Sequence, residues 1–409
     1  MIARTILKQV ELSLKTKPVT LITGARQVGK STLVQGFMEK GFSYVSLDNI
    51  RERETARKDP EMFLSLHPWP LIIDEVQKAP ELFDALEAIV NAEKMKNPDN
   101  YGMYILTGSQ MYRLMNHVSE SMAGRVSIIH MAPLSRNEIL GREEPVFSFD
   151  PKIANCRAKA NPLSAKQLFE NIVTGFYPEL YRNPLLKREK FYSDYVSTYI
   201  ERDVSDMVHI KDKFAFLNFM ELLASITGEE LVYDKLSKVV GVDMKTIKSW
   251  ISILLAGDII YLLPPYNELS IAKRIVKRPK IYFSDTGLAA YLAKMNSPEA
   301  LSSSMLSGRF VETYIVNEIR KSYLNNGLEP NFYYYRDNNQ NEIDLVIVEN
   351  GIVHRVECKS GVRFSSSDIK GFKQLDGSSY KLGEGAIVCN TDVVYPVEKG
   401  VFALPIAGI

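Results

Sequence analysis

The stretch Gly24-Ala-Arg-Gln-Val-Gly29-Lys30-Ser31-Thr32 satisfies the spacing G-x-x-x-x-G-K-[ST], with Ala25, Arg26, Gln27 and Val28 between the two glycines. Glycines at these places let successive backbone N–H groups curl around phosphate oxygens, and a helix that starts at the lysine adds positive potential from its N-terminus. Lys30 is expected to reach the terminal phosphates of a nucleoside triphosphate and Ser31 to ligate Mg²⁺. A chance glycine turn has the same letters but not the context. Here an apolar run, Val19 to Thr23, precedes the loop, and a helical pattern follows it.

A phosphate cradle needs acids beside it. Leu71-Ile-Ile-Asp74-Glu75 ends an apolar run in two carboxylates, which suits Asp74 to hold Mg²⁺ through water and Glu75 to polarise an attacking water. Two acids also end many ordinary strands. A later run closes with Thr107-Gly-Ser109, whose hydroxyls are placed to sense a γ-phosphate or simply to make a turn. Arg125 is a candidate to neutralise charge on a transferred phosphoryl group, in its own subunit or across an interface; acting in trans would require self-association. A plain surface arginine is the alternative.

A second cluster lies near the other end of the chain. Glu357 and Lys359 are two apart, so a strand points both to one face, and the Asn350-Gly351 turn can bring Asp344 to that face. Asp344 and Glu357 are then expected to share a divalent ion, with Glu312 completing the ligand set and Lys359 orienting water or meeting developing phosphate charge. An amphipathic strand with a solvated face gives the same letters.

Five short strand patterns separated by helical ones, from Val19 to His130, predict a doubly wound α/β domain over residues 1–142. The pattern loosens from Gly141 to Leu163, with Pro145, Pro151 and Pro162, and then resumes helical periodicity, predicting a helical connector over residues 143–207. The order helix, helix, glycine turn, helix and strand over 208–280 is that of a winged helix, whose Lys245, Lys248, Lys273, Arg274, Lys277, Arg278 and Lys280 are candidates to meet DNA phosphates; protein docking is the other use of such a module. Residues 281–409 carry a helix and then strand-like runs.

The motifs GARQVGKST, LIIDEVQKAP, ILTGSQ, MAGRV and APLSRNEI resemble the AAA-type ATPase domain of prokaryotic chains that end in a DUF4143 region. The resemblance implies ATP as the nucleotide, Walker roles for Lys30, Ser31, Asp74 and Glu75, and a sensor role for the Thr107 strand. It implies that GFYPE (Gly175 to Glu179) and YIERDV (from Tyr199) belong to the connector, making Arg202 a secondary sensing candidate. The helix and strands after residue 307 resemble the core of PD-(D/E)xK nucleases, which implies a nuclease-like site at Glu312, Asp344, Glu357 and Lys359, although Ile343 stands where the motif has proline.

Bulk properties set the outer bounds. In 409 residues, 45% apolar and 24% charged with net charge +1, there is room for several cores and no global attraction to polyanions. Three scattered cysteines fit neither a disulfide framework nor a zinc motif, pointing to a reducing cytoplasm. No apolar run is long enough for a membrane span. Two functions remain open: an ATPase that drives nucleic-acid binding or cleavage, and an ATP-dependent switch that docks proteins through a non-catalytic C-terminal domain. A nucleotide kinase is disfavoured by the water-activating Glu75.

Overall fold

The computed structural model describes residues 2–109, 122–199, 213–267, 278–377 and 380–409. Arg202, Lys273, Arg274 and Lys277 lie outside these residues.

Strands β1 (Val19–Thr23), β2 (Ser43–Ser46), β3 (Leu71–Asp74), β4 (Tyr104–Gly108) and β5 (Val126–His130) form one parallel sheet in the order β2-β3-β4-β1-β5. Helices cover it, so β1, β3 and β4 are buried along their whole length and read as nearly unbroken apolar runs. All five strands point the same way. Thr23, Asp74, Gly108 and His130 therefore end at one edge, where a parallel sheet presents its ligand site. This is the P-loop NTPase arrangement expected from the sequence.

Residues 141–163, expected to be loose, contain a helix, Pro151–Ala160. Asp150 caps it by accepting from Lys152 N, and Pro151 sits at the first helical position, where its fixed φ starts a helix instead of breaking one. The helix packs against the C-terminal turn, so closely that a Cβ on Gly408 would stand 2.6 Å from the Ala154 carbonyl oxygen.

Three helices, Lys213–Ser225, Tyr233–Val240 and Met244–Ala256, lead into the antiparallel pair β6 (Ile260–Leu263) and β7 (Lys280–Phe283). Asp243 caps the third helix, which buries Ile247, Trp250 and Ile251 and leaves Lys245 and Lys248 exposed. A division between residues 280 and 281 would cut β7 at its first residue. Register with β6 keeps the strand whole.

The last sheet is mixed, in the order β12-β13-β11-β10-β9-β8, from β8 (Phe332–Arg336), β9 (Glu342–Glu349), β10 (Ile352–Cys358), β11 (Lys381–Cys389), β12 (Tyr395–Glu398) and β13 (Val401–Pro405). β9 and β10 form the hairpin expected at Asn350-Gly351, both with positive φ. Helix Ser307–Leu324 packs among all these parts. Its Glu318 accepts from Arg136 N (2.8 Å), its Lys321 donates to the Leu134 carbonyl (2.9 Å), and its Asn317 donates to the Phe283 carbonyl (2.9 Å).

Tyr177, Tyr192 and Tyr195 of the connector are core. Asp285 accepts from Phe176 N (2.6 Å), Tyr192 Oη (2.8 Å) and Leu288 N (2.8 Å), locking the GFYPE turn to the chain after β7. Gly175 is required there, with φ 77° and no room for a Cβ, which would stand 2.1 Å from Tyr192 Oη.

Candidate nucleotide site and a second acidic site

At the edge of the first sheet the chain leaves β1 through Gly24, with φ 141°, at a point where a Cβ would stand 2.2 Å from the Met131 carbonyl oxygen. Gln27 and Gly29 also take positive φ, curling the loop before helix Lys30–Gln35. Lys30 is buried beneath the loop it serves. Its Nζ donates to the carbonyls of Gly24 (2.9 Å) and Ala25 (2.7 Å). Burial pushes its pKa down to about 8, against the pull of the carboxylates of Glu75, Asp258 and Asp74.

Ser31 Oγ donates to Asp74 Oδ1 at 3.0 Å, and Thr107 Oγ1 donates to the same oxygen. Glu75 N donates to Thr107 Oγ1 at 3.2 Å, and Gln77 Nε2 donates to the Glu75 carboxylate. Two hydroxyls and two acids thus meet where the phosphate loop, β3 and β4 come together. Hydroxyl and carboxylate oxygens are what Mg²⁺ takes, so this donor set fits the ion, with Ser31 and Asp74 the groups that would hold it. Arg26, Gln27, Val28, Gly29 and Thr32 line the adjoining cleft of about 1120 Å³, closed on its far side by helices Pro178–Arg182 and Arg188–Tyr199.

The family model described as an AAA domain matches residues 16–140, and the model of the domain of unknown function DUF4143 matches residues 307–409. The chain carries an AAA domain and a DUF4143 domain. Between them, residues 165–299 match a second domain of unknown function, DUF8612. The uncharacterized protein Rv2008c of Mycobacterium tuberculosis is 25% identical over 395 residues, covering 96% of this chain and 81% of that protein; Mb2031c of Mycobacterium bovis matches to the same extent. Among solved structures, the Walker-type ATPase PABY2304 of Pyrococcus abyssi aligns with 71% of this chain and 96% of its own, at 14% identity and a TM-score of 0.43. AMPPCP-bound DnaA from Aquifex aeolicus aligns with 61% of this chain and 85% of its own, at 14% identity and a TM-score of 0.29.

Several residues of the AAA domain's site escaped the motif reading. Tyr44 Oη donates to Asp74 Oδ2 (2.8 Å), so the acid is oriented from two neighbouring strands. Arg4 donates to the carbonyls of Val28 and Ala132 (2.7 Å each) and pairs with Glu138 (3.1 Å), clamping the phosphate loop from the N-terminal segment. Asp258, in the turn between helix Met244–Ala256 and β6, places Oδ2 3.1 Å from His130 Nε2 at the end of β5. Burial opposes its charge, yet His130, Arg320 and Lys30 together hold its pKa below the usual carboxylate range. Asp258 brings a charge from the middle of the chain to the nucleotide edge, and no local pattern announces it.

Arg125 is not part of this constellation. It precedes β5 at the opposite edge of the sheet, where its carbonyl accepts from Val19 N and its side chain meets Asn91 (2.6 Å) and Glu87 (3.4 Å). The length of β1, about 15 Å, separates it from its own phosphate loop, so it cannot act in cis in this arrangement.

In the DUF4143 domain, Glu312, Asp344 and Glu357 line one cleft of about 510 Å³, and Lys359 pairs with Glu357 (2.9 Å) beside it. The structure adds Glu342 and Lys280. Lys280 Nζ lies 2.8 Å from Glu312, 2.6 Å from Glu342 and 3.5 Å from Asp344, while Tyr282 Oη donates to Glu312 at 2.6 Å. Asp344 Oδ2 is taken up by Cys358 N (2.8 Å). Burial would strip the proton from Lys280, but Glu312, Asp344 and Glu342 reverse this and hold its pKa well above the lysine range. Burial and the Asp344 charge push Glu357 and Glu312 upward, against Lys359 and Lys280 respectively.

This arrangement departs from two expectations. Lys280 was a candidate phosphate contact on a solvated face, yet it is buried among carboxylates because Lys280 and Tyr282 alternate onto the face of β7 that meets helix Ser307–Leu324. Glu312, Asp344 and Glu357 were expected as metal ligands, yet among the described residues no three His, Cys, Asp or Glu side chains are disposed to hold a metal ion. An ammonium stands between the acids instead. The residues as placed do not fit a divalent ion. Among the described residues, no helix is long and apolar enough to cross a membrane.

Proposed function

We propose that the chain binds and hydrolyses ATP and that its nucleotide state governs how its remaining modules engage a nucleic acid. The network Ser31–Asp74–Thr107–Glu75, with Lys30 beneath the loop, carries this reading. Lys30 is released from two neutral carbonyls when phosphates enter, so it moves from a dipole to a formal charge. Glu75, held by Gln77, polarises the attacking water, and Thr107 links Glu75 N to Asp74 so that the terminal phosphate is sensed at both acids. Mg²⁺, when bound, neutralises phosphate charge.

Coupling to the rest of the chain runs through Asp258, which faces both His130 and Lys30. An incoming phosphate competes with it for Lys30, and the β6–β7 unit moves with Asp258. The nucleic-acid target is supported by the exposed Lys245 and Lys248 on a capped helix whose other face is core. Arg125, remote from its own loop, completes the site of a neighbouring subunit when copies assemble.

ATP turnover by the wild type, Lys30→Ala and Glu75→Gln tests the proposal, with and without DNA. Hydrolysis lost in both variants and altered by DNA in the wild type supports it. Hydrolysis that survives both substitutions refutes it. A second reading, an ATP-dependent protein-docking switch with a non-catalytic C-terminal domain, is favoured by the Lys280 ion cluster. It predicts unchanged turnover with DNA and no nucleic-acid cleavage.

A further inference from the structure

The geometry points to Lys280 as the resident cation of the DUF4143 carboxylate cluster, delivered by β7 of the neighbouring module, so that β7 in place and a divalent cation bound among Asp344, Glu357 and Glu312 exclude one another. This inference stands apart from ATP turnover; it needs only the ion cluster.

Three observations support it. Lys280 begins a strand registered on β6, where Lys280 pairs with Leu263 and Phe283 with Ile260, so its position is set by the β6–β7 unit and not by the domain whose acids it meets. Its ammonium is nearly inaccessible and touches three carboxylates from two elements, helix Ser307–Leu324 and β9. Lys359 serves Glu357 and Arg336 reaches Glu342 only at 3.9 Å, so among the described ion pairs Lys280 is the cation that Glu312 and Asp344 meet. Once Lys280 left, Glu312, Glu342 and Asp344 would lose the cation they share and a divalent ion could take its place, whereas an ion arriving beside Lys280 meets a like charge at van der Waals range.

The β6–β7 unit is also tied to the DUF4143 sheet at a second place, through the chain that follows β6. Tyr266 N donates to the Tyr334 carbonyl (2.6 Å), and Tyr334 Oη donates to Glu230 Oε1 (3.0 Å) in the loop that bridges to Lys280. Withdrawing Lys280 therefore means breaking a defined set of contacts between modules, not swinging one side chain. A lysine whose ammonium lies 5.7 Å from the Tyr334 ring centroid and meets three carboxylates is a latch between two modules.

Mn²⁺ binding by calorimetry, without nucleotide, tests this on the full-length wild type, Lys280→Met and Lys280→Met/Asp344→Asn, each checked for a folded melting transition. Lys280→Met is expected to gain a Mn²⁺ site at least ~10-fold tighter than any Asp344-dependent site of the wild type, and the added Asp344→Asn to abolish it. Equal Asp344-dependent affinity with and without Lys280 overturns the inference, as does a folded Lys280→Met that gains no site. Should Lys280→Met not fold, hydrogen exchange on the wild type and on Asp344→Asn decides. Saturating Mn²⁺ is then expected to raise amide exchange over residues 280–283, and Asp344→Asn to prevent it. No Asp344-dependent rise under saturating Mn²⁺ refutes the latch.

Discussion

Two buried lysines, Lys30 and Lys280, mark the two polar sites of this molecule, and they are held in opposite ways. Lys30 rests on two backbone carbonyls, and burial takes its pKa down to about 8. Lys280 rests on three carboxylates, and they drive its pKa up despite burial. A charge satisfied by neutral dipoles can be handed to an incoming anion at small cost, because the carbonyls it leaves are not charged. A charge satisfied by carboxylates cannot leave without stranding them. The first lysine is poised for a ligand; the second is already bound to its own protein.

The sharpest test of the contrast removes each charge in turn. Lys30→Ala is expected to lower ATP turnover by ~1000-fold, about 4 kcal/mol of transition-state stabilisation, while leaving the melting temperature near that of the wild type. Lys280→Met is expected to do the reverse, costing about 3–5 kcal/mol of stability through the carboxylates it strands, read by thermal unfolding at pH 8. If Lys30→Ala proves the more destabilising of the two, the comparison fails.

Glu144 offers a third buried charge with neither solution. Its carboxylate accepts from Asn325 Nδ2 (2.5 Å), and burial, with Glu138 adding to it, pushes its pKa up to about 7. The folded state therefore holds a proton that the unfolded state has released between pH 4.5 and 7. The stabilisation is complete below about pH 4.5 and is lost as pH rises through 7, about 3 kcal/mol in all. Glu144→Gln should flatten that part of the stability profile and raise the melting temperature at pH 8. The smallest effect is expected of Asp258→Asn, which removes one charge that keeps Lys30 protonated. ATP affinity at pH 6.5, where Lys30 is protonated either way, should rise about threefold as the competing carboxylate is lost, and the gain should shrink toward pH 8.5, where Lys30 without Asp258 gives up its proton sooner.

What the sequence disclosed follows the same contrast. The phosphate loop is one contiguous piece of chain in which strand, glycines and helix are written in order, so Gly24, Lys30 and Ser31 could be placed from spacing alone. Asp74, Glu75 and Thr107 were legible because each ends a buried strand of a parallel sheet, and such strands end at one edge. Tyr44, Gln77 and Arg4 were not, since each reaches the site through contacts that periodicity does not encode. Lys280 looked like the end of a basic run; only the register of β7 with β6 turns it inward. The alternation Lys280, Tyr282 on an otherwise apolar strand was the available signal, two polar tips on one face. Pro151 misled in the other direction, because a proline after Asp150 opens a helix as readily as it interrupts one.

Helix Ser307–Leu324 spans about 27 Å and bonds at one end to Glu144 and Phe147 behind the AAA domain and at the other to Lys280 and Tyr282. A rod anchored at both ends transmits displacement without needing to bend. Residues 134–147 and the strand that carries Lys280 are thus fixed to one continuous helix, and no loop lies between the two sets of contacts to absorb a shift.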